Sequence, residues 1–285
     1  MGNNLNGWID RELVEHDFIS LDRARLLATT LGRESTELAD GEPLPPGWHL
    51  IYFNSAVAGS ELSADGHAHR GSFLPPIPLP HRMWAGGSFH FLGPLKIGAS
   101  VRRTSTIKSI SEKQGRSGRL VFVTVRQLIS QADTTVIDEE KVLVFRNASG
   151  SNGVDARPSP QLPKEPIWDE PFIADEVTLF RFSALTFNSH RIHYDHPYVT
   201  DVEGYPGLIV HGPLLALLIA DNGVRRLGHR SPPAGLTFKY RSVQPLFCNE
   251  SIRICGDAQQ TPMRLWAAHK DRGVATEATL EFESG

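Results

Sequence analysis

Hydrophobic and polar positions along this chain change rhythm several times, and each change predicts an element. Residues 20–31, SLDRARLLATTL, carry apolar residues at helical spacing, with Ser20 as a cap and Gly32 as a stop, which predicts a short amphipathic helix. Between 42 and 80 the chain is rich in Pro and Gly (PLPPGWH, FLPPIPLP) and predicts ordered irregular structure. From Gly86 the character is β: SFHF, VRRTSTIKSI, RLVFVTVRQLIS and EEKVLVFRN are β-branched or alternating runs separated by turn residues. Residues 147–168 hold four prolines and little apolar matter, and predict a linker over 149–167 between a first domain, 1–148, and a second, 168–285. The second half carries an apolar helix, PLLALLIADNGVRRL, followed by the strands AGLTFKYRSV, ESIRICGDA, MRLWAAHK and VATEATLEFE.

The halves echo each other. SFHF is followed by PLKIGASVR in the first and TFKY by PLFCNESIR in the second, so that Pro94, Leu95, Ser100 and Arg102 match Pro245, Leu246, Ser251 and Arg253 without a gap. That pattern predicts an internal duplication. The helix is apolar over most of its circumference (Leu214, Leu215, Leu217, Leu218, Ile219), as expected of a helix enclosed by sheet. Each half is expected to be a curved antiparallel sheet on a central helix, an α+β class with two such units in one chain.

Composition narrows the function. Lys plus Arg (29) nearly balances Asp plus Glu (32), which gives no nucleic-acid or membrane footprint. Cys248 and Cys255 form neither a disulfide framework nor a CxxC pattern. The opening MGNNLNGWIDRELVEHDF has no apolar run for a signal peptide, and the expectation is a cytoplasmic protein.

The chemistry concentrates between 181 and 214, RFSALTFNSHRIHYDHPYVTDVEGYPGLIVHGPL. Asn188, His190, Arg191, His193, Asp195 and His196 crowd into nine residues, and a helix then opens at Gly212 and Pro213. Free N–H groups at such a start can hold an anion, with Gly allowing close approach. No helical pair of histidines and no cysteine partner supports a metal, and no G-x-S-x-G elbow supports a serine nucleophile, so no metal is expected. Acid–base chemistry beside an oxyanion hole is the expected use.

On these residues the chain resembles the MaoC-like, or hydratase 2, superfamily of double-hotdog enoyl-thioester hydratases and dehydratases. Their signature is an S-G-D-x-N-P-x-H loop followed by a V-H-G helix start. His193 falls on the catalytic histidine and Gly212 on the oxyanion donor, whereas Asn188 stands where the family has an aspartate, His190 where it has Asn, and Arg191 where it has Pro. LPPGWHLIYF, PLPHRMWAGGSFHF, RSGRLVFVTVR and EGYPGLIVHGPL narrow the resemblance to the branch of itaconyl-CoA and mesaconyl-CoA hydratases, close to the mitochondrial 3-hydroxyacyl-thioester dehydratases.

The resemblance implies a hydro-lyase that adds water to an unsaturated CoA thioester, itaconyl-CoA or mesaconyl-CoA giving citramalyl-CoA, without a cofactor beyond the substrate's own CoA. In that reading His193 both takes and returns the proton, Asn188 holds the water, and Gly212 binds the enolate oxygen. Arg191 or Arg82 would clamp the free carboxylate, with His190 also at the substrate. A homodimer is expected, since hotdog sheets commonly pair. Two other readings stay open: an acyl-carrier-protein 3-hydroxyacyl dehydratase, and a silent hotdog that binds acyl-CoA, favoured by Asn188.

Overall fold

A computed structural model describes residues 5–115, 118–147, 166–257 and 262–282. Most of the expected linker, 149–165, lies outside these residues.

The N-terminal half runs β1 (Glu12–Phe18), α1 (Leu21–Thr30), β2 (His81–Phe91), β3 (Ser100–Gly115), β4 (Gly118–Gln131) and β5 (Thr134–Arg146). The C-terminal half runs β6 (Trp168–Ile173), α2 (Glu176–Thr186), α3 (Gly212–Arg226), β7 (Leu236–Ser242), β8 (Ser251–Asp257), β9 (Met263–His269) and β10 (Gly273–Phe282). The ten strands make one antiparallel sheet in the order β1-β3-β4-β5-β2-β7-β10-β9-β8-β6. Each half therefore repeats the same strand order, and the halves meet where β2 pairs with β7.

The echo seen in the sequence sits on that seam. Phe89 pairs with Phe238 and Ser88 with Lys239, so SFHF and TFKY are adjacent strands. β3 and β8 start at the matching residues Ser100 and Ser251. The α+β expectation holds, with the two sheets joined edge to edge.

A correction concerns the helices. The C-terminal half has its long apolar helix, α3, with every residue from Leu214 to Val224 buried. The N-terminal half has no counterpart: 52–80 is irregular apart from a single 3-10 turn at Gly59–Glu61, as its Pro and Gly content dictates. Instead the 3-10 turn Trp48–Ile51 packs on α3, entered through Gly47 at φ +79, where a Cβ would meet Leu217 Cα at 2.9 Å.

α1 is capped as its sequence predicts, Ser20 Oγ accepting from the Arg23 N–H. Leu214, Leu217 and Ile219 of α3 share one core with Phe89, Phe91, Phe238 and Leu265. That packing fixes the axis of α3, and with it the position of its first turn. Of the polar side chains buried on α3, Asp221 pairs with Arg33 and Arg225, and Asn222 donates to Glu170 at 2.6 Å while its Oδ1 has no partner among the described residues. Among the described residues no helix is long and apolar enough to cross a membrane.

Candidate active site

The histidine loop is suspended between α2 and α3. α2 starts at Asp175, whose carboxylate accepts from the Thr178 N–H and hydroxyl at 2.8 and 2.6 Å. It buries Leu179, Phe182 and Leu185 and stops at Phe187, in the left-handed region at φ 50. Asn188 then closes a tight turn, its Oδ1 accepting the His190 N–H at 3.0 Å. Residues Arg191–His193 form a 3-10 turn, and the chain returns through Ile209 and Val210 to His211, the N-cap of α3.

His193 is buried, and its Nδ1–H donates to the Ile209 carbonyl at 2.7 Å. That bond fixes the tautomer, so Nε2 is the basic atom, and it has no hydrogen-bond partner among the described residues. The ring lies stacked on His211, centroids 3.7 Å apart and planes at 18°. His211 is fully buried with Nε2 2.8 Å from Ser183 Oγ, so α2 holds the helix-capping histidine in place. Burial pulls His193 down to about 4 and His211 well below the ordinary imidazole range, so both rings are neutral at neutral pH.

The N-terminal half completes the site. The Arg191 N–H donates to the Asp65 carbonyl at 2.9 Å and Ser189 Oγ to the Gly66 carbonyl at 2.5 Å, clasping 64–67 onto the histidine loop. Gly66 sits at φ +88, and a Cβ there would fall 1.9 Å from the Ser189 carbonyl oxygen, so no other residue fits without moving the loop. The clasp delivers His67, whose ring lies 4.0 Å from that of His190, which in turn lies 5.6 Å from that of His193. His67 Nδ1–H donates to Asp65 Oδ2 at 3.0 Å. Burial works to raise the Asp65 carboxyl, but the hydrogen bond and charge of His67 outweigh it and hold the group ionised. Burial pulls His67 and His190 down.

Asp65, His67 and His190 place their ligand atoms within 4.8 Å of one another, a donor set that a divalent cation could use. The Asp65–His67 hydrogen bond accounts for that pair without one.

The residues singled out in the sequence separate into two groups. His193 lies at the start of α3 through its stack on His211, next to Gly212; His190 flanks His193 at 5.6 Å, and Asn188 is tied to the His190 N–H. Arg191 is instead tied into the loop: Nε and Nη2 hold Asp195 at 2.9 and 2.8 Å, Nη1 donates to the Ala64 carbonyl, and the guanidinium covers Tyr198 at 4.1 Å. Arg82 makes no hydrogen bond or ion pair among the described residues. The basic side chains Lys239, Arg241 and Arg253 pair with Glu281, Glu277 and Asp169 along the strands.

Sequence reasoning missed His211, Ser183, Asp65 and His67 as site residues; the DGHAH run is the only local sign of the last two. A cavity of about 470 Å³ lined by Trp48, Leu218, Asp221 and Arg225 opens at the other end of α3. Its lining on α3 runs from about 9 to about 20 Å along the helix from Gly212, and none of the site histidines lines it.

Comparison with known proteins shows the family and the fold. The chain matches the family described as hydroxyacyl-thioester dehydratase type 2 over residues 47–248. It is 43% identical over 278 residues to a mesaconyl-C(4)-CoA hydratase of Chloroflexus aurantiacus, covering 96% of both chains. It is 28% identical to a mitochondrial hydroxyacyl-thioester dehydratase type 2 of Schizosaccharomyces pombe, over 74% of this chain and 77% of that one. Among solved structures, a MaoC-like dehydratase from Phytophthora capsici superposes with a TM-score of 0.69 at 17% identity, covering 99% and 98% of the two chains. A Mycobacterium tuberculosis protein with a double hotdog fold does so with a TM-score of 0.58 at 12% identity, covering 96% of each. The family match over residues 47–248 and the 43% identity over nearly the whole chain, on this fold, make the chain a member of the hydroxyacyl-thioester dehydratase type 2 family, hydro-lyases that act at acyl thioesters.

Proposed function

We propose that this protein catalyses the reversible hydration of a branched dicarboxylic enoyl-CoA, mesaconyl-C(4)-CoA in the first place and itaconyl-CoA in the second, giving citramalyl-CoA. The observation that carries the reading is His193: its Nδ1–H is spent on the Ile209 carbonyl, which leaves a basic Nε2 beside the first turn of α3. The identity to the Chloroflexus hydratase over nearly the whole chain supports the substrate class.

In this mechanism His193 Nε2 takes a proton from water and the water oxygen bonds to the β-carbon. The C=C electron pair shifts onto the thioester oxygen, and the enolate is held by the Gly212 N–H at the positive end of α3. Such a donor is worth about 3–4 kcal/mol at comparable sites. His193 then returns the proton to the α-carbon, so no second acid is required where the family has its aspartate. Asn188 has Oδ1 engaged by the His190 N–H, and its amide N–H groups remain to hold water. Mesaconyl-C(4)-CoA is the better fit, because its double bond is conjugated with the thioester; itaconyl-CoA, whose double bond is one carbon removed, would first have to lose a proton from the α-carbon and gain one on its terminal CH2 before this step could act on it.

The test is mass spectrometry of purified protein with mesaconyl-C(4)-CoA, itaconyl-CoA and crotonyl-CoA, watching for gain of one water. Uptake by the dicarboxylic thioesters, lost in His193→Gln with thioester binding retained, supports the proposal. Crotonyl-CoA reacting best would replace it with the straight-chain dehydratase, and no reaction with thioester binding retained would replace it with the acyl-CoA binder.

A further inference from the structure

Two cations stand on the inner face of the N-terminal half beside the helix start, and the protein uses neither. Along β5, Lys141, Leu143 and Phe145 alternate onto one face, and their β2 partners are Gly87, Trp84 and Arg82, so Arg82, Trp84 and Lys141 share that face. Trp84 joins it to α3: a Cβ on Gly212 would lie 3.7 Å from Trp84 Cβ. The indole N–H donates to the Tyr240 hydroxyl at 2.8 Å, and Lys141 Nζ sits 4.5 Å from the indole ring centroid. Arg82 and Lys141 are both partly buried, and neither makes a hydrogen bond or ion pair among the described residues.

Nearby arginines differ in this respect. Arg70 donates to the Ile77, Leu79 and Pro80 carbonyls, Arg103 to Glu15, and Arg191 to Asp195. The carboxylates that bear on the two cations are Asp65, Glu139 and Glu15, and each has another partner: Asp65 accepts from His67, Glu139 faces His49 at 3.4 Å, and Glu15 pairs with Arg103 at 2.6 Å. Arg70, Arg82, Arg103 and Lys141 against Asp65, Glu139 and Glu15 leave one positive charge in excess. Burial pulls Arg82 down to about 10 and lowers Lys141, a desolvation cost that a neighbouring anion would relieve. The Arg82 charge also acts on His67 and His190, so it lies on the same side as the histidines.

We propose that Arg82, with Lys141 beside it, forms a subsite for a single carboxylate on the acyl group, so that the N-terminal half selects substrates bearing a free acid near the β-carbon. The identity of that acyl group rests on the hydratase reading above. Arg82 supplies the planar fork suited to a carboxylate, and Lys141, held over Trp84, supplies a point charge. One excess charge matches one carboxylate and gives a methyl group nothing to replace it.

The experiment is calorimetric binding of two saturated, unreactive thioesters that differ only here: methylsuccinyl-CoA with its thioester at C4, and isovaleryl-CoA, which has a methyl in place of the carboxylate. The wild-type chain should bind methylsuccinyl-CoA roughly 30- to 100-fold more tightly. Arg82→Gln should erase most of that preference and Lys141→Met about tenfold of it. Equal wild-type affinity for the two thioesters overturns the proposal without any variant, as does a preference that survives in Arg82→Gln. Should Arg82→Gln not fold, Arg82→Lys retains the charge without the fork and should keep only part of the preference; an undiminished preference counts against Arg82. Mesaconyl-C(4)-CoA turnover, followed in parallel, separates the two ideas. Binding preference without turnover removes the hydratase reading, and turnover without preference removes the subsite.

Discussion

His193 and His211 stack ring on ring, 3.7 Å apart, one at the end of the histidine loop and the other capping α3. The proposed base and the proposed oxyanion donor are therefore registered against each other by contact. Ser183 holds the far ring through its 2.8 Å hydrogen bond. Ser183→Ala should lower stability by about 1 kcal/mol and turnover by roughly tenfold, with thioester affinity little changed. Steady-state kinetics alongside thermal melting check this, and unchanged kcat would mean that His211 needs no such anchor.

The neutral, buried histidines give stability a defined pH dependence. His193 binds its proton near 6.5 unfolded and about 4 folded, so in between the unfolded chain holds more protons than the folded one. Stability is complete above about 6.5 and falls as pH drops toward about 4, by up to about 1.4 kcal/mol per pH unit for each such histidine. His190 and His211 are lowered in the same direction and steepen the fall. Urea melts between pH 7 and 4.5 check it, and a flat midpoint would contradict the burial. Activity should stay on a plateau over the same range, because Nε2 remains unprotonated.

Gly66→Ala should separate the two loops. Its Cβ would collide with the Ser189 carbonyl and its φ is left-handed, so a loss of about 2–4 kcal/mol is expected, with turnover down at least 100-fold. Hydrogen exchange at 188–195 should rise selectively; protection equal to the wild type would show that the clasp yields without cost.

Asn188→Asp preserves an acceptor for the His190 N–H, whereas Asn188→Ala removes it. The first should fold normally and remain active; the second should lose roughly ten- to a hundredfold in kcat through a loosened turn. Equal activity in both would show that the side chain at 188 is dispensable.

Arg191→Met should weaken folding and lower activity on carboxylate-bearing and plain enoyl thioesters by the same factor, because its guanidinium is taken by Asp195, Ala64 and Tyr198. A selective loss on the dicarboxylic thioester would place it in the substrate site after all.

What the sequence revealed depended on how local the determinant is. The loop from Asn188 to His196 and the Gly212–Pro213 helix start were legible because their residues are crowded and adjacent. α2 was not: RFSALT mixes polar and aromatic residues, and its apolar face, Leu179, Phe182 and Leu185, becomes visible only beside the Asp175 cap. Asp65 and His67 come from the other half, 123 residues away at the Gly66–Ser189 contact, and no spacing rule reaches that far. Arg191 looked available because its partner, Asp195, is one helical turn on, in a segment that reads as loop. Arg82 and Arg191 could be separated only once the ion pairs were in place.

The seam between β2 and β7 has one more consequence. Two identical chains meeting at such a seam would have to build every feature twice, so any change that helped one catalytic centre would be imposed on its twin. Joining both copies in one polypeptide lifts that constraint. Here the C-terminal copy carries the long buried helix with His190, His193 and His211, while the N-terminal copy, with only the shorter α1 among its described residues, supplies the clasp and His67. Under the proposed function, that division of labour makes one thioester site per chain where two equal copies would make two.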